Sequence, residues 1–274
     1  MIHVRRMTFE YPDDLSTVFI TGEPEDSWAQ LGLSLLLPHL EPYLIRAMKA
    51  AREHVTDERL RRDLTGFVLQ EGQHFQQHRR FNEHFLGKPG LEGLAVLEAE
   101  VAAEYARWTD EKPLAFHLAY AEGFEALTSA TAIWFLEQDR SAWHPAAFRL
   151  FEWHLVEELE HRHVAFDVYV HVIGDWRNRV KVGWFAQWHL LGFMTRVVEH
   201  LAEALPEVIE AHGGRRHHHL RMLQLRRRLV GVLLPRMIRS HAPWYTPHGL
   251  PVPPQLEALA ARYSAEADHV MEPR

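Results

Sequence analysis

Trp153-His-Leu-Val-Glu-Glu-Leu-Glu-His161 decides how the rest of the chain is read. It lies in a stretch from Ala146 to Ile173 with helical periodicity and neither Gly nor Pro. On a helix, Glu158 and His161 share one face, with Cβ atoms roughly 5–6 Å apart, and His154 joins them one turn earlier. A carboxylate-bridged metal pair in a helical bundle takes one Glu from each of two helices and a Glu-x-x-His from each of two others. The question for the remaining sequence is whether it supplies the missing parts.

It does so in order. Glu71-Gly-Gln-His74 repeats the motif, with His78 one turn further on. Glu41 sits among Leu37, Leu44, Ile45 and Met48 on the apolar side of its own segment, and Glu122 and Glu125 share a face of a later one. The separation Glu41 to Glu71 is 30 residues, Glu125 to Glu158 is 33 and Glu122 to Glu158 is 36. The closer match selects Glu125 as a ligand and leaves Glu122 as an outer or alternate carboxylate. The expected ligands are therefore Glu41, Glu71, His74, Glu125, Glu158 and His161, with His78, Glu122 and His154 as outer partners or additional ligands. Glu157 lies about 100° around the helix from Glu158, so it is expected to face another helix or solvent, and its loss to leave metal binding intact. Four carboxylates and two imidazoles nearly neutralise two divalent cations. Iron suits these donors, as do manganese and zinc. Without a cation, four carboxylates in one core would cost several kcal/mol each or take up protons.

The segments around these residues read as an all-α fold, a ferritin-like four-helix bundle with a crossover helix and additional C-terminal helices. Residues 1–24 form an N-terminal arm, 25–174 the two-metal bundle, and 175–274 a C-terminal helical extension packed on it. The first bundle helix is expected to bend at, or begin near, Pro38, because Pro38 and Pro42 each remove a backbone hydrogen bond. The second runs from a cap at Thr56-Asp to about Phe85, a connecting helix covers Leu91 to Trp108, the third ends near Gln138, and the fourth follows Trp143-His-Pro145 and ends near Gly174. Beyond it, Trp184, Phe185, Trp188, Leu191 and Phe193 are expected to pack into the core. His217 to His219 read as a solvated loop, and Arg226 to Arg228 as a solvated face. Strand-type alternation is nearly absent after residue 24.

Composition removes other classes. The 274 residues include no Cys, which excludes disulfides, iron–sulfur clusters and thiol catalysis. A formal charge of -7 gives no reason to expect a nucleic-acid partner. No apolar run reaches the length of a membrane span, and the first residues lack a signal-peptide core. The expectation is a cytoplasmic location.

Leu33-Ser-Leu-Leu-Leu-Pro-His-Leu-Glu41, Gln70-Glu-Gly-Gln-His74 with His78 and Asn82, Glu125-Ala-Leu-Thr128, the run Trp153 to Tyr169, and Trp244-Tyr-Thr-Pro-His248 together resemble the bacterial family labelled predicted metal-dependent hydrolase. The resemblance spans most of residues 30–250, and the fourth-helix motif is its most specific part. It implies a ferritin-like bundle with a two-metal centre. Leu40 stands where the family's first-helix motif has Gly, Pro42 follows Glu41, and Ala126 replaces a His of its third-helix motif.

The carboxylate-rich donor set favours an O2-dependent oxidase or oxygenase that uses two irons on an apolar small molecule. Such an enzyme would draw on an electron-donor protein, and a homodimer is compatible with it. The alternatives are a two-metal hydrolase using zinc or manganese and a non-catalytic metal-binding helical protein.

Overall fold

The computed structural model describes residues 2–137 and 139–272. A short strand β1 (Val4–Arg6) leads to α1 (Pro24–Ala51) and α2 (Glu58–Glu83). The crossover α3 (Glu92–Glu111) precedes α4 (Leu114–Leu136), α5 (Pro145–His161) and α6 (Val164–Val172). Then come α7 (Trp176–Ala204), α8 (Pro206–Ala211), α9 (Gly214–Arg228), α10 (Leu234–Ser240), α11 (Leu256–Glu266) and strand β2 (His269–Met271). The fold is an all-α bundle: α1 packs along α2 and α7, and α4 packs against α5 and α7. None of the described helices is long and apolar enough to cross a membrane.

Local chemistry sets the boundaries. Asp57 caps α2 by accepting from the Leu60 amide, Asp175 caps α7 through the Arg177 and Asn178 amides, and Pro145 occupies the first turn of α5 behind His144. Gly174, at φ +68°, supplies the left-handed residue after α6. Pro38 and Pro42 do not divide α1, which begins at Pro24 and runs through both. Pro38 has no N–H for the Ser34 carbonyl. The Asn82 side-chain amide donates to that carbonyl instead, at 2.8 Å, so the helix continues with its lost bond replaced from α2.

The expected fourth helix is two, because α5 stops at His161 and α6 starts at Val164. His217 to His219 belong to α9 and not to a loop. On α7 the buried line is Val182, Ala186, Leu190, Phe193 and Val197, whereas Phe185 and Trp188 are over 40% exposed. Where α4 crosses α7 the backbones touch: a Cβ on Gly123 would lie 2.3 Å from the Gly183 Cα. The strand β2 had no sequence signal. It pairs antiparallel with β1, Arg5 opposite Val270, and brings the two ends of the described chain together.

Candidate metal centre

Four helices send acidic and imidazole side chains to one buried point: Glu41 from α1, Glu71 and His74 from α2, Glu125 from α4, and His154, Glu158 and His161 from α5. All are at most 5% exposed. Their donor atoms form two groups that could each hold a metal ion, Glu41 with His74 and His154, and Glu71 with Glu125, Glu158 and His161. Two carboxylates lie between the groups. Glu158 Oε1 is 2.9 Å from His154 Nε2, 3.5 Å from His161 Nε2 and 3.7 Å from His74 Nδ1. Glu71 Oε1 is 3.3 Å from His161 Nε2 and 3.8 Å from His74 Nδ1. Glu41 and Glu125 stand at opposite ends, beside His154 (3.8 Å) and His161 (3.3 Å).

The surrounding hydrogen bonds fix which nitrogen of each ring faces inward. Gln70 Nε2 donates to the His3 carbonyl and to Glu160, so its Oε1 is the atom that accepts from His161 Nδ1–H at 2.9 Å. That leaves a lone pair on His161 Nε2. The Glu157 carboxylate accepts from His74 Nε2–H at 3.0 Å, which leaves the lone pair on His74 Nδ1. For His154 the relay is longer. Asn82 Nδ2 is committed to the Ser34 carbonyl, so Asn82 Oδ1 accepts the Ser34 hydroxyl proton at 2.6 Å. Ser34 Oγ then accepts from His78 Nδ1–H at 2.8 Å, and His78 Nε2 accepts from His154 Nδ1–H at 2.7 Å. His154 Nε2 therefore turns a lone pair toward Glu158. Such outer bonds are what orient metal-binding imidazoles.

Apart from His154 Nε2 and Glu158 Oε1, which lie 2.9 Å from each other, the atoms so presented lack partners. Both oxygens of Glu41, Glu71 and Glu125, Glu158 Oε2, His74 Nδ1 and His161 Nε2 are buried without a hydrogen bond. Buried polar atoms are rarely left this way, and carboxylate oxygens and imidazole lone pairs converging on each other call for cations. The electrostatics agree. Burial, then the neighbouring carboxylates, raises the carboxyl groups of Glu41 and Glu71 well above the usual range. The same two causes push Glu125 up to about 8. Burial opposes charge on both His161 and Glu158, yet their mutual attraction holds His161 well above and Glu158 well below their ordinary values.

All six residues expected as ligands thus lie together. His154 also enters the first group, and His78 stands behind it as the next link of the relay. Glu122 lies outside both groups: it faces α7, paired with Arg179 at 2.7 Å. Glu157 is off the ligand stripe, facing α2 and β1 rather than solvent, but it is fully buried and carries the His74 hydrogen bond. Arg5 was missed altogether. Its guanidinium, 1% exposed, joins Glu157 at 3.0 Å and Glu160 at 2.7 Å. No local pattern marks an arginine in β1 as a partner of residues 152 positions away.

The predicted metal-dependent hydrolase family matches this chain over residues 3–250. That description fits the hydrolytic alternative read from the sequence better than the oxidative one. No curated protein and no solved structure matches.

Proposed function

This chain belongs to the predicted metal-dependent hydrolase family, and we propose that it is a two-metal enzyme whose centre oxidises an apolar small molecule with O2. The observation that carries the reading is the donor set: four carboxylates and three inward imidazole lone pairs facing one another with no other partner. Glu41, His74 and His154 would hold one ion, Glu125 and His161 the other, with Glu71 and Glu158 between them. Bound there, the metals would supply activation of O2 if they are iron, drawing on an electron donor, or of water if they are zinc or manganese. Anionic oxygen donors in this number favour the higher oxidation state of a redox-active ion.

The protein's own part is positioning and exclusion of water. A cavity reaches His154 along walls that include Leu37, Phe124, Leu127, Phe151 and Leu155. The Thr128 hydroxyl on this wall donates to the Glu125 carbonyl at 3.1 Å, so little is offered there to hold a polar leaving group. A hydrolytic reading is favoured by the family's description and by the third imidazole, which keeps bound ions more electrophilic.

The test is direct. Anaerobic ferrous protein should take up O2 in an oxygen electrode, and the zinc form should hydrolyse no ester above background. Ferrous protein inert to O2, with a zinc or manganese form whose esterase activity is lost in Glu71→Ala, would reverse the assignment.

A further inference from the structure

The cavity that ends at His154 has a second end with different chemistry. It measures about 210 Å3 and is bounded along α1 from Asp26 to Leu37. Those eleven helical steps (37 minus 26) correspond to about 16 Å of helix, so the space is long rather than round. Its outer end is bordered by α9, none of whose residues is buried. That helix is held over the start of α1 by a hydrogen bond between His218 and Glu25 at 2.7 Å and by ion pairs of Arg228 with Asp26 at 2.7 Å and of Arg221 with Glu23. Asp26, the acidic residue at the mouth, is thereby neutralised. Arg226 lines the same mouth and has no acidic partner among the described residues. An apolar channel thus runs from an unneutralised guanidinium to the candidate metal centre.

We propose that the substrate is a linear alkyl carboxylate, bound with its carboxylate at Arg226 and its methyl end against His154. The proposal rests on the two-metal reading of that centre, whichever chemistry the metals perform. Arginine recognises a carboxylate through paired N–H donors, and an apolar wall accepts the chain without asking for hydrogen bonds. The arrangement also sets regiochemistry: the carbons presented to the centre are those far from the head, and attack next to the carboxylate is excluded by distance.

Binding of decanoate, decanol and decylamine to the full-length protein, measured by calorimetry, tests the head group. Decanoate should bind about tenfold more tightly than decanol, the scale of one charged hydrogen-bonded contact. Arg226→Ala should remove that preference while leaving decanol unchanged, and Arg226→Glu should turn it toward decylamine. Arg226 is exposed, so both variants should fold. Ala29→Trp, which fills the channel, should weaken all three ligands. Orientation is read separately: with Mn2+ loaded, the methyl carbon of bound decanoate should broaden more in its NMR spectrum than the carbon beside the carboxylate. Equal affinity for decanoate and decanol, loss of both in Arg226→Ala, or stronger broadening beside the carboxylate overturns the proposal. Because binding is measured without turnover, these outcomes stand apart from the O2-uptake result that tests the chemistry.

Discussion

Stripping the metal ions should make the protein less stable as pH rises, while the loaded form stays level. Burial and like charge push Glu125 from 4.5 up to about 8 and raise Glu41 and Glu71 in the same direction. A carboxyl group whose folded pKa lies above its unfolded one contributes stability that is fully present below the unfolded value. That stability is lost as pH climbs through the folded value. For Glu125 alone, the interval from 4.5 to pH 7 withdraws about 3 kcal/mol, at about 1.4 kcal/mol per pH unit. His161, also raised, adds to the fall, and Glu158, lowered, works against it only in acid. Bound cations replace the protons and cancel the trend. A loss of about 3 kcal/mol in a chain of this size corresponds to roughly 6–12 °C. Calorimetric melting of chelator-treated and metal-loaded protein at about pH 5.5 and about pH 8 reads it: the gap between the two forms should widen by that amount at the higher pH. Parallel curves would show that these carboxylates are not crowded together in the absence of metal.

Three other perturbations follow from single contacts. Glu157→Gln leaves the ligands in place but removes the carboxylate behind His74 and one of the two facing Arg5. Metal affinity in chelator competition should fall about 10- to 100-fold, against the expectation from helix phase alone, and unchanged affinity would refute the role given to Glu157. Glu125→Gln should lose metal. Glu122→Gln should retain it and cost about 3 kcal/mol in denaturant unfolding through the unpaired Arg179; the reverse pattern would mean the two glutamates are misassigned. Gly123→Ala should destabilise by about 1–3 kcal/mol, because its methyl group meets the Gly183 backbone rather than a movable side chain. A neutral effect would mean that α4 and α7 can part freely.

The helices and the convergence of the candidate ligands are legible in the sequence for one reason. Both are written in short periods, and a bundle places residues three or four apart on one face. Glu71 with His74 and Glu158 with His161 can be read this way, whereas Glu122 and Glu125 share a face and are told apart only by their separation from Glu158. What stayed hidden depends on partners distant in sequence. Whether His154 turns a lone pair inward is decided by Ser34, His78 and Asn82 on two other helices. Pro38 looked like a break because nothing local announces that Asn82 will satisfy the carbonyl it frees. The break between α5 and α6 falls where the sequence carries neither Gly nor Pro. The exposure of Trp188 follows from the line along which α7 meets α4 and α1, which its own apolar residues do not choose.

Arg5 ties the centre to the order in which the chain is made. Its side chain reaches Glu157 and Glu160 on α5 and Ser264 on α11, and its strand is paired with β2. During synthesis α5 emerges long before residues 264 and 269–271. Until those residues arrive, the first strand has no partner strand, and the guanidinium behind Glu157 is held on one side only. The ring of His74, positioned by Glu157, is thus among the last parts of the centre to be locked. Before those residues are made the centre would hold metals loosely, and their arrival would tighten it. Tight metal binding would then report that both ends of the fold have met.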